Sequence, residues 1–170
     1  MFRKFNGEKV KDIAEYVKRY VTDNENIEVI VATDSQNSKY RTGFCTVIAM
    51  YDSGNDGHGH GAHCIYDSWT TPKYSKERRQ ERLLKEVEES IDTAKTLRSG
   101  GVDISYVDID ISPKKNAASS DVFQAAYGWV TGEGFVCRYK TLGPLATTLA
   151  DYIVKHYCYG RRGKIQKTVE

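Results

Sequence analysis

Apolar positions recur along this chain with two different periods, and the changes between them mark the predicted elements. Val10, Ile13, Val17 and Val21 follow the spacing of one helix face. Runs of β-branched and aromatic residues between turn-forming residues predict strands. The pattern predicts, in order, a helix over Glu8–Val21, strands over Ile27–Thr33, Tyr40–Tyr51 and Gly61–Thr70, a helix over Ser75–Arg98, a strand over Asp103–Ile111, a helix over Ser120–Val130, a strand over Phe135–Tyr139 and a helix from Pro144 to about Tyr157.

This order of elements predicts an α/β fold. Three consecutive strands with short connections favour an antiparallel meander, whereas the later strands, which are joined through helices, favour parallel pairing. We therefore expect a mixed five-stranded sheet with helices on both faces. No repeat or linker divides the 170 residues, so we expect one domain over residues 1–170, with an extra helix at about 8–21 and a loose basic tail at 161–170.

Composition excludes some classes of protein. No apolar stretch approaches the roughly 20 residues that span a bilayer, and Met1–Val10 lacks the apolar core of a signal peptide. We therefore expect a soluble cytoplasmic protein without membrane partners. The net charge of +2 does not by itself indicate a nucleic-acid partner. The four cysteines form no C-x-x-C pair, which favours reduced thiols over a zinc or redox centre.

Two aspartates follow predicted strands. Asp34 follows the first strand, and a carboxylate on such a rigid support suits a hard cation. The ordinary alternative is a turn aspartate, since Asp34 is followed by small polar residues. Asp110 lies at the end of the fourth predicted strand, but Asp108 points to the same face because strand side chains alternate. The residues alone leave both Asp108 and Asp110 open as ligands.

The predicted helices contain further acidic residues, and the sequence pattern does not show which of them belong to a site. Glu77, Glu81 and Glu88 lie on one flank of the apolar stripe of the long helix, so helical phase does not choose among them. Their ordinary role is a solvated face with pairs such as Glu81 and Lys85. Asp151, in the last helix, lies away from the centre of the side defined by Leu145, Leu149, Tyr152, Ile153 and His156.

Taken together, these motifs resemble the YkuK family of ribonuclease H-like proteins. The resemblance covers about Ile27–His156 and is carried by Thr33-Asp34-Ser35-Gln36, by Glu81 in ERLLKEVEES, and by Ile109-Asp110-Ile111-Ser112 with the basic Pro113-Lys114-Lys115-Asn116 that follows. It implies a ribonuclease H fold, in which acids from the first strand, the first long helix, the fourth strand and a late helix gather in one site. On that resemblance Asp34, Glu81 and Asp110 are expected as catalytic metal ligands, and Asp151 as a further catalytic residue.

The resemblance implies metal-dependent hydrolysis of phosphodiester bonds in RNA, DNA or a hybrid. Two divalent cations can stabilise the charge on the attacking and leaving oxygens, and Mg²⁺ is the expected cation, with Mn²⁺ as a substitute. The expected contacts to the substrate are Ser35, Gln36, Arg78, Lys114 and Asn116. The alternative is a non-catalytic module that binds nucleic acid or protein, because a fold does not guarantee an activity.

Overall fold

The computed structural model of the protein describes residues 1–54, 59–114, 120–140 and 146–158. Its elements are α1 (Ile13–Asp23), β1 (Ile27–Asn37), β2 (Arg41–Asp52), β3 (Gly61–Pro72), α2 (Arg79–Ser99), β4 (Tyr106–Ile109), α3 (Ser120–Gly132), β5 (Cys137–Tyr139) and α4 (Ala146–Ile153), which continues into a π-helical turn (Val154–Cys158). The predicted helix start at Pro144 and the basic tail at 161–170 lie outside the described residues.

The strands form a five-stranded sheet in the order β3-β2-β1-β4-β5. The β1–β2 and β2–β3 pairs are antiparallel, as expected for a meander. The β1–β4 and β4–β5 pairs are parallel, because a helix connects each of the later strands to the one before it. The predicted mixed sheet is confirmed, and β1, in its centre, has a partner of each kind.

Strand β1 is longer than the sequence pattern indicated. The pattern placed its end at Thr33, but the ladder with β2 continues as far as Asn37, which pairs with Thr42. Asp34 pairs with Cys45 within this ladder, so Asp34 is a strand residue and the turn interpretation does not hold. Because strand side chains alternate, Asp34 points to the face opposite that of Thr33 and Ser35.

The first helix begins later than predicted, at Ile13 instead of Glu8. Asp12 caps it, since its side chain accepts a hydrogen bond of 2.9 Å from the backbone N–H of Glu15. The preceding segment contains a turn, and Arg3 forms isolated β-bridges with Lys9 and with Tyr66 of the edge strand β3. This segment therefore covers part of the sheet edge, which would otherwise expose unpaired backbone groups.

Helices cover both faces of the sheet, as predicted. Helices α1, α2 and α3 pack on one face, in a core that includes Val31, Ile48 and Leu97. Helix α4 packs on the other face, where Ala32 and Ala150 belong to a smaller core. Among the described residues, no helix combines the length and the apolar character that crossing a membrane requires.

The buried cysteines are thiols without disulfide partners. Cys45, Cys64 and Cys137 are buried and unbridged. Burial raises the pKa of Cys64 to about 11 and contributes most to raising that of Cys137 to about 12, because a thiolate is poorly solvated in the core. These thiols behave as small apolar side chains.

Candidate active site

The parallel pair β1–β4 positions the first two acids. Ala32 of β1 pairs with Asp108 of β4, and β4 ends one residue later at Ile109. Asp34 and Asp110 therefore lie two residues beyond this pair on neighbouring segments, and both line the same cavity.

Helix α2 contributes a buried glutamate from the other face of the sheet. Glu86 is 4% exposed, and its Oε1 accepts a hydrogen bond of 2.5 Å from the Ser35 hydroxyl. Arg82 Nη1 donates to the backbone oxygen of Ser35 at 2.9 Å and to Ser35 Oγ at 2.6 Å. The same Nη1 lies 3.5 Å from Glu86 Oε1. Arg82 and Ser35 thus hold the Glu86 carboxylate beside the end of β1.

Asp108 anchors helix α4 and does not line the cavity. Its carboxylate accepts two hydrogen bonds from the Arg138 guanidinium, at 2.8 and 2.9 Å, and one of 2.7 Å from the backbone N–H of Ala146. Asp108 is fully buried, so both of its oxygens are committed to structure. Strand alternation alone did not decide which of the two aspartates belongs to the site. In the structure Asp108 positions α4, and Asp110 lines the cavity.

Four acids line one cavity of about 590 Å³ at this edge of the sheet. They come from β1, α2, the segment after β4, and α4, and they are Asp34, Glu86, Asp110 and Asp151. The cavity is also lined by four basic residues, Arg79, Arg82, Lys140 and Lys155. A charged cavity of this composition suits a polar, anionic ligand together with cations.

The surroundings of Asp34 disfavour its charged form. Its pKa rises to about 7, first because burial disfavours the charged carboxylate, and then because the Asp151 and Asp110 carboxylates repel it. A hydrogen bond to the backbone of Ser35 and the charge of Arg82 oppose this rise only in part. The ionised form of Asp34 therefore gains from any cation that enters the cavity.

Glu86 shares this environment. Its pKa lies well above the ordinary value of 4.5, first because the side chain is buried and next because of the nearby Asp34 carboxylate. The Ser35 hydroxyl and the Arg82 guanidinium favour the ionised form, but they do not compensate for burial. The Asp34 carboxylate thus disfavours ionisation of Glu86. Perturbed acids of this kind are common at cation-binding and catalytic sites.

The chain itself supplies cations for three of the four acids. Lys140 lies 3.1 Å from Asp110, and Lys155 lies 2.5 Å from Asp151, one helical turn away. Arg82 is the partner of Glu86. Asp34 forms no ion pair with any described residue, so it is the acid at which unbalanced negative charge remains.

The structure does not bring Glu81 to this site. Glu81 is exposed at the start of α2, where it accepts two hydrogen bonds from Arg78, at 2.9 and 2.7 Å. Neither residue lines the cavity, although the family resemblance led us to expect Glu81 among the metal ligands, and Arg78 was expected among the substrate contacts. The physical reason is helical phase, since Glu86 lies five residues further on and faces the end of β1.

A signal for Glu86 was present in the sequence. The buried stripe of α2 contains Leu83, Val87, Ser90 and Ile91, and Glu86 lies within it at i+3 from Leu83 and i−4 from Ser90. The sequence interpretation compared acids on the flank of the stripe, where Glu77, Glu81 and Glu88 lie. An acid inside an apolar stripe is the more informative position, because burying an unpartnered charge is costly.

Helix α4 is rotated relative to the prediction. The predicted buried side included Tyr152 and His156, but Tyr152 is 52% exposed and His156 is also exposed. Ala146, Thr147, Ala150 and Ile153 are the buried residues of this helix. The rotation turns Asp151 toward the cavity, where the resemblance, but not the sequence pattern, had placed it.

The other predicted substrate contacts have different locations. Gln36 and Ser35 both line the cavity, and the buried Ser35 hydroxyl donates its hydrogen bond to Glu86. Lys114 is exposed and lies outside the cavity lining. Asn116 lies outside the described residues. Arg79, Lys140 and Lys155 occupy the cavity wall, and the two lysines among them were not expected there from the sequence.

The donor set fits a hydrated divalent cation better than a closed metal cage. Within the described ranges, no three side chains of the types His, Cys, Asp and Glu converge into a ready-made metal site. The cavity nevertheless offers four carboxylates, and Mg²⁺ characteristically retains several waters and takes only one or two protein carboxylates. Burial, followed by the charges of Asp151 and Asp110, raises the pKa of Asp34, and a cation in the cavity would favour its ionised form.

Comparison with known proteins agrees with this architecture. A family model described as Ribonuclease H-like matches residues 8–155. The match includes α1 and extends into the π-helical turn, so it contains all four acids of the cavity. A search among curated proteins finds no match.

Proposed function

Because the chain belongs to the ribonuclease H-like family, we propose that it is a nuclease that hydrolyses phosphodiester bonds of nucleic acid with the help of divalent cations. One observation carries the proposal: Asp34, Glu86, Asp110 and Asp151 line a single cavity although they are distant in sequence. Acids gathered in this way repel one another, and the arrangement is costly unless cations neutralise it. The proposed cation is Mg²⁺, with Mn²⁺ as a substitute.

Asp34, Asp110, Glu86 and Asp151 are the proposed ligand residues, and Asp34 is the central one because it has no ion pair among the described residues. When bound, Mg²⁺ would lower the pKa of the attacking water and stabilise the charge that develops on the leaving oxygen. The protein supplies the positioning: Ser35 donates a hydrogen bond of 2.5 Å to Glu86, and Arg82 holds Ser35 through hydrogen bonds of 2.9 and 2.6 Å.

Basic and amide side chains on the cavity wall are the proposed substrate contacts. Arg79 and Gln36 line the cavity and carry N–H groups that suit phosphate oxygens. Lys140 and Lys155 neutralise part of the acidic charge through their pairs with Asp110 and Asp151. In this proposal the same lysines also attract the phosphate backbone to the cavity mouth.

The second candidate is a non-catalytic binding module for nucleic acid or protein on the same fold. The observation that favours it is that the chain's own cations already pair with three of the four cavity acids. A module of this kind would need no divalent cation. Metal dependence therefore separates the two candidates.

The first experiment is a cleavage assay with labelled RNA, DNA, hybrid and branched substrates in Mg²⁺ or Mn²⁺, with EDTA as the control. The nuclease proposal expects cleavage that requires the cation and is lost in Asp34→Asn. Cleavage that persists in Asp34→Asn would show that the activity belongs to another site or to a contaminant. Binding without cleavage on every substrate would favour the binding module.

A matched pair of variants on α2 tests the geometry of the site. Glu86→Gln is expected to lower kcat at least about 100-fold, because it removes a carboxylate from the cavity. Glu81→Gln, on the same helix but outside the cavity, is expected to retain activity within about twofold. If Glu81→Gln lost activity and Glu86→Gln retained it, Glu81 and not Glu86 would be the acidic residue that α2 contributes to the site.

A further inference from the structure

We propose that an exposed basic and aromatic surface beside the cavity binds a single-stranded segment of the nucleic acid; this rests on the proposed function, since it extends the same site. The surface, called here the turn surface, consists of Lys39 and Tyr40 in the β1–β2 turn and Lys73 and Tyr74 after β3. Its occupant is defined by chemistry, as a strand with exposed phosphates and unpaired bases.

The two segments of the turn surface are held together by hydrogen bonds. Asn37 Nδ2 donates to the backbone oxygen of Tyr74 at 3.2 Å, and the backbone N–H of Tyr74 donates to Thr42 Oγ1 at 3.0 Å. Lys73 Nζ lies 3.5 Å from the backbone oxygen of Lys39. The turn and the β3–α2 connection therefore present their side chains as one surface of defined shape.

The charge of the turn surface is not compensated. Lys39 and Lys73 are exposed, and neither forms an ion pair with a described acid. Two acids follow Tyr74 in the sequence. Glu81 of α2 pairs with Arg78, whose guanidinium also lies 5.0 Å from the Tyr74 ring centre, and Glu77, which precedes α2, is exposed and accepts a hydrogen bond from Ser75. Unpaired lysines on a shared surface are the groups that phosphates attract.

Tyr40 supplies the feature that selects single strands. It is 72% exposed, and the Lys39 ammonium lies 4.9 Å from its ring centre. An exposed ring of this kind can stack on a base, but a base in a duplex is already stacked and paired. A tyrosine flanked by lysines therefore favours a strand whose bases are free over an intact duplex.

The turn surface lies near the cavity along the chain. Gln36 lines the cavity and lies three residues before Lys39, a separation of at most about 10 Å along the chain. Arg79 lines the same cavity from the start of α2, and its side chain has no hydrogen bond or ion pair among the described residues. A strand that leaves the cavity past Gln36 and Arg79 would reach Lys39 and Tyr40 within a few nucleotides.

The test measures binding without cleavage, by fluorescence anisotropy in an Asp34→Asn background. The probes are labelled single-stranded DNA and RNA of about 12 nucleotides and the matching duplexes. Lys39→Ala with Lys73→Ala is expected to weaken single-strand binding at least fivefold and to reduce the salt slope by about 1 to 2. Tyr40→Ala is expected to weaken it at least fivefold with little change in the salt slope, because it removes stacking and no charge.

The matched control is Lys11→Ala with Lys18→Ala, which removes two exposed lysines that do not line the cavity or the turn surface. It should bind within twofold of the parent. Three outcomes would overturn the inference: affinities of the turn-surface variants equal to that of the control, duplex binding as tight as single-strand binding, or no binding of any oligonucleotide.

The failure of this inference and the failure of the nuclease proposal are distinguishable. Cleavage is measured separately, with Asp34 intact. If the turn-surface variants bind normally while the parent cleaves with Mg²⁺, the turn-surface inference is wrong and the nuclease proposal stands. If the parent never cleaves but binds single strands through Lys39, Tyr40 and Lys73, the nuclease proposal is wrong and the turn-surface inference stands.

Discussion

Replacing Asp34 by asparagine should stabilise the folded protein in the absence of divalent cations. Asp34 is only partly exposed and lies near Asp151 and Asp110, and its partial burial together with these carboxylates disfavours its charge. Asparagine has nearly the same shape and carries no charge, so the substitution removes the electrostatic cost and leaves the cavity. A functional carboxylate that reduces stability is expected where a bound cation normally compensates for it.

The raised pKa of Asp34 sets the size and the sign of this effect. The pKa rises from 3.8 to about 7, a difference of about 3 units, which at 1.36 kcal/mol per unit corresponds to about 4 kcal/mol. This is an upper limit, because water in the open cavity screens the charge, and we expect about 1 to 3 kcal/mol. Since the folded pKa lies above the unfolded one, the gain from asparagine is complete above about pH 7 and disappears as the pH falls toward 4.

The assay is equilibrium unfolding in urea with EDTA at about pH 8 and about pH 4.5, which lie near the two ends of this window. The control is Glu81→Gln. Arg78 lowers the pKa of the exposed Glu81 carboxyl, so replacing this carboxylate should not stabilise the protein. The reasoning would be refuted if Asp34→Asn were less stable than the parent at pH 8, or if its gain were the same at both pH values.

Three further expectations follow from the same contacts. Mg²⁺ should raise the melting temperature of the parent more than that of Asp34→Asn, as measured by calorimetry; an equal rise in both would place the cation elsewhere. Arg82→Met should destabilise the protein by about 2 kcal/mol in urea unfolding, because Ser35 and its buried acidic neighbour lose their charged donor; an unchanged free energy of unfolding would contradict this. Asp108→Ala should cost about 3 kcal/mol, because it leaves the Arg138 guanidinium without its buried partner and removes the acceptor at the start of α4; retention of full stability would show that Asp108 does not anchor that helix.

Local patterns predicted the architecture well, because they depend on neighbouring residues. The apolar runs located all five strands, and the mixed sheet and the family assignment are confirmed. The errors lie at element ends, where long-range contacts decide. Strand β1 continues through Asp34 because β2 pairs with it as far as Thr42. The segment that the pattern included in α1 instead precedes the Asp12 cap and contacts β3 through the bridge between Arg3 and Tyr66.

The sequence pattern pointed to Asp34 on the first strand but left Asp108 and Asp110 open, and the family resemblance favoured Asp110, which lines the cavity together with Asp34. The choice of the glutamate did not follow in the same way. Acids recur along α2, and the selection of Glu86 depends on which part of that helix faces Ser35 at the end of β1. Contact with a residue 51 positions away is not encoded in the spacing of the helix itself.

The amino-acid sequence was sufficient for the order of helices and strands and for an aspartate on the central strand, because periodicity and alternation act over a few residues. The three-dimensional arrangement was needed to assign Glu86 to the cavity, to give Asp108 a structural role and to turn Asp151 inward. The physical reason is that each of these outcomes depends on partners far away in the chain, namely Ser35 for Glu86, and Arg138 and Ala146 for Asp108. A carboxylate acquires its role from the charges and donors that the fold brings to it, and those come from other elements.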